Sequence, residues 1–119
     1  MHLNLDLYFY RAIIVSVYDG DTVRANIDLG LDVWIYNEKL RLARINAPEL
    51  RRPTLIEGRK SRDFLREKLI GKAVIVETIK DKKGSFGRYL AEIWLEDEDG
   101  NYQNINTLML DMHLAVLYK

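Results

Sequence analysis

The chain of 119 residues contains no cysteine. That excludes disulfides and thiolate metal sites. Histidine occurs only at positions 2 and 113, too few for a His-based zinc centre. Proline occurs twice, at 48 and 53. No stretch approaches the roughly 20 apolar residues of a membrane helix. The opening "MHLNLDLYFY" lacks a basic lead and a long apolar run, so it reads as a strand rather than a signal peptide. The expected location is the cytoplasm, with no membrane partner. Net charge is also absent: 18 Lys and Arg balance 18 Asp and Glu.

What is present is unevenly distributed. Residues 1–50 hold five Lys/Arg against seven Asp/Glu, residues 51–88 twelve against five, and residues 89–119 one against six. A basic middle between acidic ends fits a local anion-binding face, and a solvated helix face accounts for the same charges. The apolar fraction of 48% suffices for one core. No repeat or low-complexity linker divides the chain, so residues 1–119 are read as one domain.

"RAIIVSVYDGD" alternates Ile13, Val15 and Val17 and predicts a strand ending in a turn. "TVRANIDLGLDVWIYNEKLRLARI" predicts a long hairpin bending at Gly30, with Trp34 and Tyr36 as candidate contacts and at least one of them in the core. "RRPTLIEGRKSRDFLREKLIGK" predicts a helix. Thr54 and Glu57 have capping-box spacing, Phe64, Leu65, Lys68 and Leu69 recur at helical intervals, and Gly71 ends it. "AVIVETI" and "RYLAEIWLE" predict strands around the polar turn "KDKKGSFG", and "DEDGN" a further turn. A short last helix places Ile105, Leu108, Met109 and Met112 on one face. Three strands, a helix, two strands and a helix suggest a five-stranded Greek-key barrel of the OB type.

Three stretches carry possible chemistry. "DGDT" offers two carboxylates, Asp19 and Asp21, suited to a hard cation, although taken alone it reads first as a polar turn bonded to nearby amides. In "RLARINAPE", Arg41 lies in an apolar strand where an arginine faces solvent or a phosphate, and Arg44 is an equal candidate for facing solvent. Pro48 holds Ala47 extended and so aims Glu49, which suits it to position or deprotonate a water. Arg88 follows Gly87 at a strand start, and its planar fork matches phosphate oxygens or a cross-strand acid. Phosphodiester hydrolysis needs a cation, a carboxylate for water and one or two arginines, which together these residues supply.

"DGDTV", "RLARINAPE" and "FGR", in this order, resemble the thermonuclease family, of which staphylococcal nuclease is the type. The likeness runs from about Arg11 to Leu117 and takes in "INTLMLDMHLA". It implies an OB-type barrel that cleaves DNA and RNA with Ca²⁺ and leaves 3′-phosphate ends. By position, it implies phosphate-binding roles for Arg41 and Arg88, a catalytic role for Glu49, direct metal ligation by Asp21 and an outer role for Asp19. Ala47 would lend a backbone carbonyl to the metal, and Tyr118 would stack near the substrate or lie on the surface.

Two departures stand out. Asn46 occupies a position where the family usually has aspartate, which predicts weaker calcium binding. The sequence stops at "LAVLYK", without the family's further C-terminal helix, so exposed apolar surface would favour a homodimer or partner over a monomer. The alternative to a nuclease is a non-catalytic OB module that binds single-stranded nucleic acid or protein.

Overall fold

The computed structural model describes residues 8–80 and 89–118. Strand β1 (Phe9–Asp19) buries Ala12, Ile14 and Val17, while Ile13 and Val15 face outward. The expected alternation of Ile13 and Val15 with Val17 is therefore corrected. Opposite β2 (Thr22–Asp28), the register passes from Ile14↔Ala25 to Ser16↔Arg24, so Val15 is an extra residue. This bulge reverses the inward set and returns Val17 to the core.

A second irregularity lies on β3 (Trp34–Leu42), where pairing with β2 shifts between Ala25 and Ile27. Asn37 takes φ 58° there, and its N–H donates to Asn26 Oδ1 at 2.9 Å. Beyond it the faces exchange. Leu40 and Leu42 are buried, whereas Trp34 is half-buried and Tyr36 exposed, their rings stacked 6.3 Å apart. Neither aromatic enters the core, contrary to expectation. The β2–β3 bend contains Gly30 at φ 82°, as its sequence predicts.

The chain then makes a short strand β4 (Ile45–Asn46), helix α1 (Leu55–Leu69), β5 (Ala73–Lys80), β6 (Tyr89–Glu96), β7 (Tyr102–Asn104), helix α2 (Ile105–Asp111) and β8 (Val116–Leu117). Antiparallel neighbours follow the order β3-β2-β1-β5-β6-β7. Parallel pairing of β3 with β6, through Leu40↔Tyr89, Arg41↔Leu90 and Leu42↔Ala91, closes five of these strands into a barrel. Closure removes the sheet edges that would otherwise stay unpaired. β4 pairs with β8, Ile45↔Leu117 and Asn46↔Val116. The core holds Val23, Ala25, Ile93 and Val76 from the barrel, with Leu65 and Leu69 from α1 and Ile105 and Met109 from α2.

The expected capping box on α1 does not form. The Thr54 hydroxyl donates to the carbonyls of Glu49 and Arg51, at 3.0 and 3.1 Å, instead of accepting from the helix. Gly71, at φ 76°, follows the helix end as predicted. On α2 the helix stops at Asp111, which leaves Met112 half exposed rather than on the buried face. Among the described residues no helix is long and apolar enough to cross a membrane. The polar turn expected at "KDKKGSFG", and with it Arg88, lies outside the described residues.

Candidate functional site

The turn between β1 and β2 brings Asp21 inside. Asp21 is 7% exposed, its N–H donates to Asp19 Oδ1 at 3.0 Å, and its Oδ1 accepts from the Thr22 hydroxyl at 3.1 Å. Gly20 lets the turn sit this deep. A Cβ there would lie 2.6 Å from the Ala47 Cβ and 2.8 Å from the Ser61 Cβ, closer than side-chain carbons approach one another. The bare backbone thus fits between the chain after β4 and helix α1.

That fit joins the two stretches. Asp21 Oδ2 accepts the Ala47 N–H at 2.8 Å and lies 3.5 Å from Arg41 Nη2. Arg41 also donates to the Ile45 carbonyl and to Asn46 Oδ1, both at 3.1 Å. Its side chain is only 11% exposed. The Tyr118 ring lies 4.7 Å from Cζ, within cation–π range. Tyr118 is held there by its N–H, which donates to the Arg44 carbonyl at 2.8 Å. Arg41 is therefore not a solvent-facing strand residue.

Arg44 has a different position. It takes φ 70° and forks onto Glu92, with Nε 2.7 Å from Oε2 and Nη2 2.8 Å from Oε1. Nη2 also donates to the Thr107 hydroxyl at 3.0 Å. The Glu92 hydrogen bond raises the Arg44 pKa further above its usual range. Arg44 anchors the closing turn to β6 and α2, away from Asp21.

Glu49 is exposed and paired with Arg51. Its backbone is more tightly held than its side chain. Beside the Thr54 hydrogen bond to its carbonyl, Gly58 of α1 lies directly against it. A Cβ on Gly58 would meet Glu49 O at 2.5 Å and Pro48 O at 3.0 Å. Residues 46–49 and 51–54, among them Glu49, Arg51 and Arg52, border an open hollow of about 540 Å³.

Asp19 completes the acidic pair. Burial, then the charge of Asp21, raises its pKa to about 6. Two carboxylates forced together in a partly dry place favour a proton or a cation between them. The donors here are all oxygen: Asp19, Asp21, the Asn46 amide and the Ala47 carbonyl. They fit a hard cation such as calcium by their chemistry. Two features limit the fit. Among the described residues no cluster of three or more His, Cys, Asp or Glu exists, and Asp21 already accepts three hydrogen bonds.

Several supporting residues escape a reading of the sequence. Asn106 is fully buried. Its Nδ2 donates to the Ala43 and Ala91 carbonyls at 2.9 Å, and its Oδ1 accepts from Ile93 N–H at 3.1 Å. It therefore stitches α2 to the seam where β3 meets β6. The Ser61 hydroxyl donates to the Leu114 carbonyl, tying α1 to the segment before β8. An asparagine and a serine within amphipathic helices give no local signal of such roles. Gly58, at an interior helical position where glycine is disfavoured, was the detectable hint.

The chain is similar to known proteins both in sequence and in fold. The profile of the staphylococcal nuclease homologue family matches residues 39–119. A thermonuclease of Staphylococcus intermedius is 33% identical over 89 residues, which is 72% of this chain and 49% of that protein. One from Staphylococcus hyicus is 31% identical over 88 residues, 71% of this chain and 48% of that protein. The chain thus spans about half the length of the curated relatives it matches. Among solved structures, the extended Tudor domain TD3 of mouse TDRD1 in complex with a MILI peptide containing dimethylarginine superposes with a TM-score of 0.71 at 5% identity, covering 100% of this chain and 97% of that one. The same domain without a named peptide gives 0.68 at 6% identity, covering 98% and 96%. At such identities these likenesses establish the barrel with helices and nothing more. The sequence matches reach further, and by them the chain belongs to the staphylococcal nuclease homologue family.

Proposed function

We propose that this protein is a calcium-dependent phosphodiesterase that hydrolyses single-stranded DNA or RNA and leaves 3′-phosphate ends. The observation that carries the reading is the contact between the two motifs, Asp21 Oδ2 at 2.8 Å from Ala47 N and 3.5 Å from Arg41 Nη2. Residues 20 and more apart in sequence share one locus that has both a carboxylate pair and a phosphate-type cation. Kinship with thermonucleases supports the same chemistry.

In this reading Arg41 binds the scissile phosphate. Its guanidinium is held on one side by Asp21, Asn46 and the Ile45 carbonyl, so its position is set before substrate arrives. Arg88 supplies the second fork. Glu49 orients the attacking water and takes its proton. The water oxygen joins phosphorus as the bond from phosphorus to O5′ breaks. Tyr118 covers one face of Arg41 and stacks on a neighbouring base or sugar. Calcium held by Asp21, with Asp19, Asn46 and the Ala47 carbonyl, would offset negative charge on the phosphate.

A second reading, a barrel that binds without cutting, has specific support. Asn46 lacks the charge of the usual aspartate, and Asp21 is occupied by Ala47, Thr22 and Arg41. The extended Tudor domains of like fold are solved with methylated peptides. Cleavage of single-stranded DNA in millimolar calcium, against chelator, separates the two. Cutting that needs calcium and disappears in Glu49→Gln, with binding retained, supports the enzyme. No cutting at any calcium level overturns it in favour of the binding module.

A further inference from the structure

The outer face of the β2–β3 ribbon carries a feature that the proposed reaction does not use. Val23, Ala25, Leu40 and Leu42 point into the barrel, so Thr22, Arg24, Lys39 and Arg41 lie on the opposite face. The register pairs Thr22 with Arg41 and Arg24 with Lys39. Arg41 is itself covered by Tyr118 and paired with Asp21, but two residues along the ribbon from it, about 7 Å, lie the exposed cations Arg24 and Lys39.

At that place the surface is concave. A groove of about 540 Å³ is bordered by Thr22, Arg24 and Lys39, by Tyr18 from the bulged end of β1, and by Arg66 from α1. Arg24 Nη1 donates to the Asn37 carbonyl at 2.9 Å, and Arg66 Nε to the Val17 carbonyl at 3.1 Å. Both guanidiniums are thus fixed by neutral acceptors. Among the described residues, none of the three cations pairs with a carboxylate, and no carboxylate borders the groove. Tyr18 is 69% exposed beside them.

Two held guanidiniums and an exposed ammonium, none of them paired with a carboxylate among the described residues, beside an exposed ring suit a polyanion that also offers flat apolar faces. We infer that this groove is a track for the nucleotides flanking the scissile bond of a single-stranded polynucleotide. Arg24, Lys39 and Arg66 bind its backbone phosphates, and Tyr18 stacks on an unpaired base. A duplex keeps its bases stacked and leaves Tyr18 without a partner. The track extends the proposed phosphodiesterase site and rests on that reading for its purpose, while its existence is a matter of binding.

The test uses the full chain and thymidine oligonucleotides of two and of twelve residues. Fluorescence anisotropy in chelator, over a salt series, measures binding, and cleavage in calcium measures KM and kcat. The variant Arg24→Gln/Lys39→Gln/Arg66→Gln is expected to weaken binding of the longer oligonucleotide at least tenfold. Its salt slope should fall by about two, at roughly 0.7 per lost phosphate contact on a single strand. Binding and turnover of the dinucleotide should stay unchanged, and KM for the longer substrate should rise at constant kcat. Lys39→Glu alone, at an exposed position, should shift the slope in the same direction and guards against misfolding of the triple variant. Tyr18→Ala should cost about tenfold in affinity at an unchanged slope. An unaltered slope, equal losses for both lengths, or equal displacement by polyglutamate would overturn the track. Absence of cleavage in the unmodified protein would count against the nuclease alone, because anisotropy still decides the groove.

Discussion

Replacing Gly58 by alanine sets two opposite effects against each other. In an ordinary helix interior the change stabilises by about 1 kcal/mol. Here the new Cβ would stand 2.5 Å from Glu49 O, 2.9 Å from Glu49 C and 3.0 Å from Pro48 O. These are backbone atoms, so no rotamer change can yield. Ordinary contact near 3.4 Å requires the Glu49 segment or the helix to move by about 0.9 Å. Overpacking of this kind costs roughly 1–3 kcal/mol. The net expectation is a loss of up to about 2 kcal/mol, seen as a fall in Tm of several degrees. On the role proposed for Glu49, activity should suffer more than stability, because a displacement near 1 Å of a reacting group costs about a hundredfold in rate. Thermal melts and initial cleavage rates on the same preparation make the comparison. A variant that melts higher by the full helix-propensity gain and cuts at the original rate would refute the packing argument. The melting result alone decides it if the protein does not cut.

Other expectations follow from named contacts. Asn106→Ala leaves the Ile93 N–H and the Ala43 carbonyl without their side-chain partner, while the Ala91 carbonyl keeps the Ala43 N–H, and denaturant unfolding should show a loss of about 2 kcal/mol or more. Asn46→Asp restores a carboxylate next to Asp21, and calorimetry should show calcium affinity rising about tenfold; equal affinities would remove Asn46 from the donor set. Asp19 has a folded pKa of about 6, above its ordinary 3.8, so the folded chain binds its proton more tightly and loses stability as pH rises through that window. In chelator, Asp19→Asn should therefore melt higher than the parent near pH 7 by about 1 kcal/mol, after discount for partial exposure, and match it near pH 4.

The barrel was legible because most of its strands are strongly patterned and its helices well spaced. "AVIVETI" and the stretch from Thr22 to Leu42 have strand-like runs, and Gly30 and Gly71 stand where positive φ is needed. What misled was local. One extra residue at Val15 and another near Asn37 exchange the faces of two strands, and no residue type announces a bulge. Thr54 and Glu57 have the spacing of a capping box, but the carbonyls of Glu49 and Arg51 offered the Thr54 hydroxyl nearer partners. Of the candidate site, the meeting of Asp21, Arg41, Asn46 and Ala47 followed from two motifs read together. The fork of Arg44 onto Glu92, 48 residues away, did not, because it depends on a positive φ at Arg44 that no residue type announces.

The small ribbon of Ile45–Asn46 with Val116–Leu117 also has a consequence in time. Asn46 waits for a partner seventy positions downstream. Closing a loop of that length costs roughly 4 kcal/mol in chain entropy, so such contacts form late, after local hairpins. The β1–β2–β3 meander can bring Asp21 and Arg41 together early. The brace behind Asn46 and the ring over Arg41 arrive only when β8 and Tyr118 dock. During synthesis, which delivers the N-terminal strands first, a nascent chain carries the acid and the arginine well before their cover. The arrangement around Asp21 and Arg41 is thereby completed by the docking of β8 rather than by the appearance of its charged residues.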